Sequence, residues 1–335
     1  LGCKNRVNFL NCIKITIMKE ILLLLVMFWN VENYFDTYNN PSTSDEEFTP
    51  TGDNRWSWKR FEKKRDDIAK TILLAADQYG ELPAVIGLAE IENAFVLNQL
   101  VEQTPLARGE YKYIHRESPD SRGIDVALLY REEIFRPLET RYIGFSFNTR
   151  EILYTKGVVN SLDTLHIMVN HWPSKRGNEK SSDTKRKMVS LKASSITDSI
   201  LRCNPSANII LMGDFNDTPD SAPLGNLNQL VNLAHWAKGA EGSYKYRESW
   251  SMIDQFLVSE NLIKDKTQNK GQKKTFSPQW IYTPKSMEIF APEALLTEDA
   301  SYMGIKPKRT FSGPRYLGGV SDHLPIMLKI FKDGE

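Results

Sequence analysis

Asn208-Ile209-Ile210-Leu211-Met212-Gly213-Asp214-Phe215-Asn216-Asp217 (NIILMGDFND) is the stretch on which the fold turns. Ile209 to Met212 form a short, uninterrupted apolar run, the pattern of a strand buried on both faces. Gly213 ends the run, and Asp214, Asn216 and Asp217 follow before Pro219 closes the segment. In an extended chain Asp214 and Asn216 point to the same side, because strand side chains alternate. A carboxylate beside an amide at the mouth of a buried strand can hold water, a hard cation or a phosphate oxygen. The competing reading is an Asx turn, in which Asp and Asn after Gly are ordinary residues.

Other predicted strands end in the same way. Ile21 to Trp29 is apolar and runs into Asn30-Val31-Glu32-Asn33, with Asn30 and Glu32 on one side by the same alternation. Pro83 to Glu90 (PAVIGLAE) ends acidic, in Glu90 and then Glu92. A glutamate past a strand can also begin the next helix, and that is the simpler role for Glu92. Ile124 to Tyr130 (IDVALLY) carries Asp125 among apolar residues, so this carboxylate needs a partner, structural or functional. Leu165 to Asn170 (LHIMVN) leads into His171, with Lys175, Arg176 and Lys185-Arg186-Lys187 downstream. That basic run is either a solvated face or a phosphate-binding one. Met252 to Val258 (MIDQFLV) sets Asp254 on a face with Phe256 and Val258, where it should be tied to a cation or a histidine. Ser321-Asp322-His323-Leu324-Pro325 precedes the last strand, Ile326 to Ile330.

The intervening segments read more plainly. Phe61, Ile68, Ile72 and Leu73 recur at helical spacing in Lys59–Ala76, an amphipathic helix with a solvated charged face. A second helix spans about Asp183 to Leu201. Trp56 and Trp58 pack a long loop, while His166 and His235 lack charged company and belong to the core or the surface. Lys264 to Lys274 reads as a basic surface loop, and Gly-rich Arg309–Gly319 as a binding loop or a turn.

Composition narrows the classes. The 335 residues are 41% hydrophobic and 25% charged, enough apolar content for a sizeable globular core. A net charge of +1 gives no global basic field, so any polyanion site must be a local patch. Cys3, Cys12 and Cys203 show no short paired spacing, which argues against a zinc cage or a disulfide framework. They leave the compartment, cytoplasmic or secreted, open. Met18-Lys19 and the apolar run after it look like a signal peptide, but no small-residue cleavage site follows. The run is also shorter than the about 20 residues of a membrane span, so we expect no transmembrane segment and read a first strand. Residues 1–17 are a leader, a cloning remnant or an over-extended start. Residues 18–335 read as a single domain, without repeat or linker, and as a monomer.

Ligands gather beyond strand ends in α/β sheets, so these scattered residues can converge. Oxygen ligands outnumber nitrogen and no thiolate is present, which suits Mg²⁺, with Mn²⁺ as the alternative, better than Zn²⁺. Histidines beside carboxylates and a hard cation fit phosphoryl-oxygen chemistry: charge is neutralised, water activated and a proton donated.

In order, WNVEN, GLAEIEN, VNHWPSKRG, GDFND, IDQFLVS and SDHLP resemble the endonuclease/exonuclease/phosphatase family, from about Met27 to Ile330. Pancreatic deoxyribonuclease, abasic-site endonucleases, sphingomyelinases and inositol polyphosphate 5-phosphatases are relatives of that kind. The resemblance implies an α/β four-layer sandwich, two mixed β-sheets face to face with helices outside. It implies that Asn30 binds phosphate, that Glu90 and Asp322 bind metal, and that Asp214 activates water while Asn216 orients phosphate. His323 would face the phosphate oxygen, oriented by Asp254, and His171 matches the second histidine of the deoxyribonuclease and sphingomyelinase branches. Arg176, in the basic run beside His171, is the second phosphate-binding candidate. Glu32 stands where some relatives have a metal-linked acid, and Asp125 is a loose match for a residue orienting His171. The expected activity is metal-dependent hydrolysis of a phosphoester, first a phosphodiester of nucleic acid. A lipid or small phosphoester such as an inositol phosphate is the alternative, and an inactive binding module the last.

Overall fold

The computed structural model describes residues 22–160, 163–175, 179–263, 280–281 and 287–332. The tail 1–17, Arg176 and the Lys264–Lys274 stretch therefore lie outside the described residues. The chain opens with β1 (Leu22–Tyr34), β2 (Val85–Ile91), β3 (Tyr111–His115) and β4 (Asp125–Arg131), with helices α1 (Trp58–Tyr79) and α2 (Ala94–Glu102) among them. Then come β5 (Phe135–Ile143), β6 (Ile152–Val159), β7 (Asp163–His171) and β8 (Asn208–Asp214), the last two joined through helix α3 (Glu179–Cys203). The remainder supplies β9 (Val231–Asn232), β10 (Lys238–Gly239), the hairpin β11 (Tyr244–Tyr246) and β12 (Ser249–Ser251), β13 (Asp254–Val258), β14 (Trp280–Ile281) and β15 (Met287–Ile289). Small hairpins β16 (Leu296–Glu298) with β17 (Ile305–Pro307) and β18 (Phe311–Ser312) with β19 (Arg315–Tyr316) precede the last strand, β20 (Ile326–Lys332).

Two mixed sheets result. One is ordered β10-β15-β20-β1-β2-β4-β3, with β14 also on β20, and the other β5-β6-β7-β8-β13-β9. β1 is parallel to β2 and antiparallel to β20, while β8 is parallel to β7 and antiparallel to β13. Strand alternation divides the side chains of the second sheet. Ile210, Met212 and Phe256 turn inward to share a core with Phe28 and Leu88 of the first sheet. Ile209, Leu211 and Leu257 turn outward to pack with Val189 and Ala193 of α3. Ile68 and Ile72 of α1 and Leu97 and Leu100 of α2 cover the first sheet's other face. The architecture is a four-layer α/β sandwich. Gly87 sets how closely the sheets approach, since a Cβ there would lie 2.9 Å from Met212 Cε.

The predicted strands and helices all form, with ends displaced by a few residues. β5 and β6, by contrast, carried no long apolar run to announce them. β5 is an edge strand with most side chains in solvent, so its sequence shows no buried face. Trp56 is the packing residue expected, fully buried with Nε1 donating to the Phe35 carbonyl at 3.0 Å. His166 is also a satisfied core residue, its Nδ1 2.9 Å from the Tyr154 hydroxyl, and His235 lies at the surface. Among the described residues no helix is long and apolar enough to cross a membrane.

Candidate active site

Sheet register brings the site together. In the second sheet His171 of β7 pairs with Asp214 of β8, and Asp214 pairs with Asp254 of β13, so the three stand in one row. Each continues the inward set of its strand, after Val169, Met212 and before Phe256. Gly213 permits this row: a Cβ there would fall 2.4 Å from the Asn170 carbonyl oxygen of β7. From the facing sheet come Asn30 of β1 and Glu90 of β2. Asn30 Nδ2 donates to Asp214 Oδ2 at 3.0 Å and reaches Glu90 Oε1 at 3.4 Å, a bridge between the sheets.

Glu90 is aimed by a local irregularity. The ladder slips between Ala89 and Ile91, and Glu90 itself has φ +64°. A bulge of this kind re-aims a side chain, and left-handed backbone at a non-glycine residue is held only by its surroundings. The Asn33 backbone N–H supplies part of that hold, donating to Glu90 Oε2 at 2.8 Å. His323 arrives from the segment before β20. Ser321 Oγ donates to the Asn30 carbonyl at 2.7 Å and accepts the His323 N–H at 2.9 Å, which ties this segment to β1. Trp29 Nε1 donates to the His323 carbonyl at 3.0 Å.

The histidines differ in charge because their neighbours differ. His323 Nδ1 lies 2.7 Å from Asp254 Oδ2, and its Nε2 lies 3.8 Å from Asp214 Oδ2 and 3.9 Å from Asp322 Oδ1. Burial alone would depress this imidazole, but Asp254, Asp214 and Asp322 outweigh it and hold the pKa well above the ordinary histidine value. His171 Nε2 is 3.6 Å from Asp214 Oδ2 and 3.9 Å from Glu90 Oε1, both beyond hydrogen-bond reach. Burial dominates there, with Arg150, Arg122 and His323 adding repulsion, so His171 falls well below the ordinary value and stays neutral. Its Nδ1 is buried with no hydrogen-bond partner among the described residues. Asp214 is pushed up to about 7, first by burial, with Asp254 adding to the rise against His323 and the Asn30 hydrogen bond.

Asp214, Asp254 and His323 present ligand atoms within 4.8 Å of one another, a grouping that could hold a metal. A protonated His323 donates rather than ligates, however, so a cation here must rely on carboxylate oxygens. The donor set does fit a hard cation: Glu90 and Asp214 converge on Asn30, and Asp254 Oδ1 is buried without a hydrogen-bond partner among the described residues.

Other expectations need correction. Asp214 and Asn216 do not share a side, because Asn216 is left-handed with φ +50°. The Asx turn forms as well as the site: Asn216 N–H donates to Asp214 Oδ1 at 2.9 Å, and Asn216 Nδ2 donates to the Trp172 carbonyl at 3.0 Å. Glu32 also departs from alternation, with φ +50°, and points to Arg309 and Thr310. Asp125 does not orient His171. Its Oδ2 lies 3.1 Å from His115 Nε2 and its Oδ1 accepts the Ser118 N–H at 2.8 Å. Within the basic run, Arg186 is neither solvated nor free for phosphate: it is buried, bonded to Asp217 Oδ2 at 3.2 Å and the Pro173 carbonyl at 3.1 Å.

Sequence reasoning missed Lys64 and the role of Arg309. Lys64 is fully buried in α1, donating to the Glu32 carbonyl, to Thr310 Oγ1 at 2.7 Å and to the Val320 carbonyl at 2.9 Å. The signal was present: 61, 64, 68 and 72 fall on one helical face, so Lys64 sits in the apolar stripe. Arg309 lies in the Gly-rich segment and reaches Asp322 Oδ2 at 3.0 Å.

Comparison with known proteins adds to this geometry. The model of a family described as the endonuclease/exonuclease/phosphatase family matches residues 25–332. No curated protein matches the chain. Among solved structures, an endonuclease/exonuclease/phosphatase from Bacteroides vulgatus is 15% identical, with a TM-score of 0.54 over 94% of this chain and 100% of that one. A functionally unknown conserved protein from Enterococcus faecalis V583 is 14% identical, with a TM-score of 0.54 over 93% of this chain and 100% of that one. D. rerio TDP2 complexed with a single-strand DNA product is 16% identical, with a TM-score of 0.50 over 92% of this chain and 98% of that one. At these identities the structural likeness is one of fold.

Proposed function

The chain belongs to the endonuclease/exonuclease/phosphatase family, and from that premise we propose that it is a metal-dependent phosphodiesterase acting on nucleic acid. The observation that carries the reading is the meeting of two sheets at Asp214, between neutral His171, protonated His323 and the Asn30 amide.

Glu90, and Asp322 through Oδ1, would hold Mg²⁺ or Mn²⁺, whose charge neutralises the phosphoryl oxygens. Asp214, with a pKa of about 7, is matched to general-base work near neutrality. Its carboxylate takes a proton from the attacking water as the new O–P bond forms. The imidazolium of His323, held by Asp254, gives its Nε2 proton to the departing oxygen as the old P–O bond breaks. His171, neutral with Nε2 clear of hydrogen-bond distance to both acids, donates N–H to a phosphoryl oxygen. Asn30, whose amide meets Asp214, orients the substrate phosphate, and Asn216 holds the Asp214 carboxylate through its backbone N–H and borders the phosphate from the following turn.

A nucleic-acid substrate is supported by what borders these residues. Arg122 lies 4.0 Å from Glu90 and is partly exposed, and the Tyr244 ring lies 4.9 Å from the His323 ring. A cation and an aromatic face suit a phosphate and a base. The similar fold of TDP2, solved with a single-strand DNA product, agrees. The test is a screen of purified protein with Mg²⁺ against single-strand DNA, plasmid DNA, RNA, sphingomyelin and inositol phosphates. Cleavage of nucleic acid in preference to the others is the expected result. Turnover confined to sphingomyelin or inositol phosphates would replace the substrate, and none on any of them would refute the activity.

A further inference from the structure

Among the acids at the strand ends, Glu32 has both oxygens engaged, and one of its partners also holds Asp322. Oε1 accepts Arg309 Nη2 at 3.2 Å and Nε at 3.3 Å, and Oε2 accepts the Thr310 N–H at 2.7 Å. The same Arg309 Nη2 continues to Asp322 Oδ2 at 3.0 Å. Lys64 lies beneath, joining the Glu32 backbone to Thr310 and Val320. Glu32 and Asp322 thus share the Arg309 guanidinium, with the Lys64 ammonium close by, so the space between the two carboxylates already holds a fixed cation.

The neighbouring half of the site is different. Glu90, Asp214 and Asp254 stand against His323 and, at 4.0 Å from Glu90, Arg122. A divalent cation is drawn where negative charge is in excess, which is this half. A guanidinium also suits two carboxylates better than an ammonium would, because its planar fork serves both at once.

We propose that Arg309 is a built-in counter-cation filling the Glu32–Asp322 pair, so that the site takes a single divalent ion and Glu32 acts as a positioning residue, not a ligand. Glu32 then fixes the end of β1, where it and Asn33 hold left-handed backbone, φ +50° and +53°. Arg309 holds Oδ2 of Asp322 and leaves Oδ1 for the one ion. The inference rests on the metal-dependent reading above and deepens it.

The test counts Mn²⁺ ions on the full chain by calorimetry and electron paramagnetic resonance, with melting curves to confirm folding. Wild type should bind one ion, and Arg309→Lys, which keeps the charge, should also bind one. Arg309→Met should take up a second ion, or bind Mn²⁺ about tenfold or more tightly. Adding Glu32→Gln to Arg309→Met should remove that gain. Two ions on wild type, or one ion at unchanged affinity on folded Arg309→Met, would overturn the proposal. Wild type with no bound Mn²⁺ would instead bring down the metal reading itself, and this inference with it.

Discussion

Asp214→Asn separates what this carboxylate does for chemistry from what it does for stability. In the folded protein its pKa rises from 3.8 to about 7, chiefly through burial, with Asp254 beside it. At 1.36 kcal/mol per unit, carrying the ionised form costs the fold roughly 4 kcal/mol. The native state keeps a proton that the unfolded chain has lost between pH 3.8 and about 7. The stability associated with Asp214 therefore falls as pH rises through that window and stays low above it. Asparagine has no such slope. It also has a single acceptor oxygen where Asp214 uses Oδ1 for the Asn216 N–H and Oδ2 for Asn30, so one bond is lost at about 1–3 kcal/mol. Near pH 5, where the native carboxyl keeps its proton and is as neutral as asparagine, the variant should be less stable than wild type by at most that amount. By pH 8 the comparison should shift in its favour by roughly 3 kcal/mol, or about 4 °C in Tm for a chain of this size. Melting curves at both pH values, with a chelator present, read this directly. Turnover should fall roughly 100-fold or more because the base is gone. A Tm difference independent of pH would refute the buried-carboxylate argument, and full activity would remove Asp214 from the mechanism.

Other outcomes follow from the same geometry. Glu90→Gln should weaken Mg²⁺ binding in calorimetry while leaving the melting curve intact, and unchanged affinity would dismiss Glu90 as the leading ligand. His171→Ala and His323→Ala should each lower kcat by about 10²–10⁴, and near-wild-type kcat in either would exclude that histidine from proton donation. Lys64→Met strands the Glu32 carbonyl and leaves the Thr310 hydroxyl and the Val320 carbonyl only each other, at 3.2 Å, so urea denaturation should show a loss of roughly 3 kcal/mol. An unperturbed transition would mean that water or a neighbour replaces the ammonium.

What the sequence reveals here depends on whether the signal is periodic. Ile209 to Met212 and the other apolar runs announce the central strands because burial on both faces leaves no polar position. The row His171, Asp214, Asp254 is legible for the same reason, each residue lying where an inward-facing pattern turns polar. β5, exposed at its edge, carries no such contrast. Alternation also misleads wherever the backbone turns left-handed. At Glu32 and Asn216 it assigned a shared side that φ near +50° denies. Asp125 shows a different limit: its partner His115 lies on an adjacent strand, and no spacing within one segment reveals pairing across a ladder. Lys64 shows another. Its helical position is readable, but nothing local marks the charge as buried, because its three acceptors lie 32, 246 and 256 residues away in sequence.

The central claim is that phosphoester hydrolysis occurs at these strand ends with a bound cation. It is tested most directly by single-turnover cleavage of a labelled single-strand DNA with Mg²⁺, after removal of the ion by EDTA, and after its return. Cleavage that stops on chelation, resumes with Mg²⁺ or Mn²⁺ and is lost in His323→Ala is the predicted result. Cleavage that persists in EDTA, or that survives in His323→Ala at the wild-type rate, would contradict it.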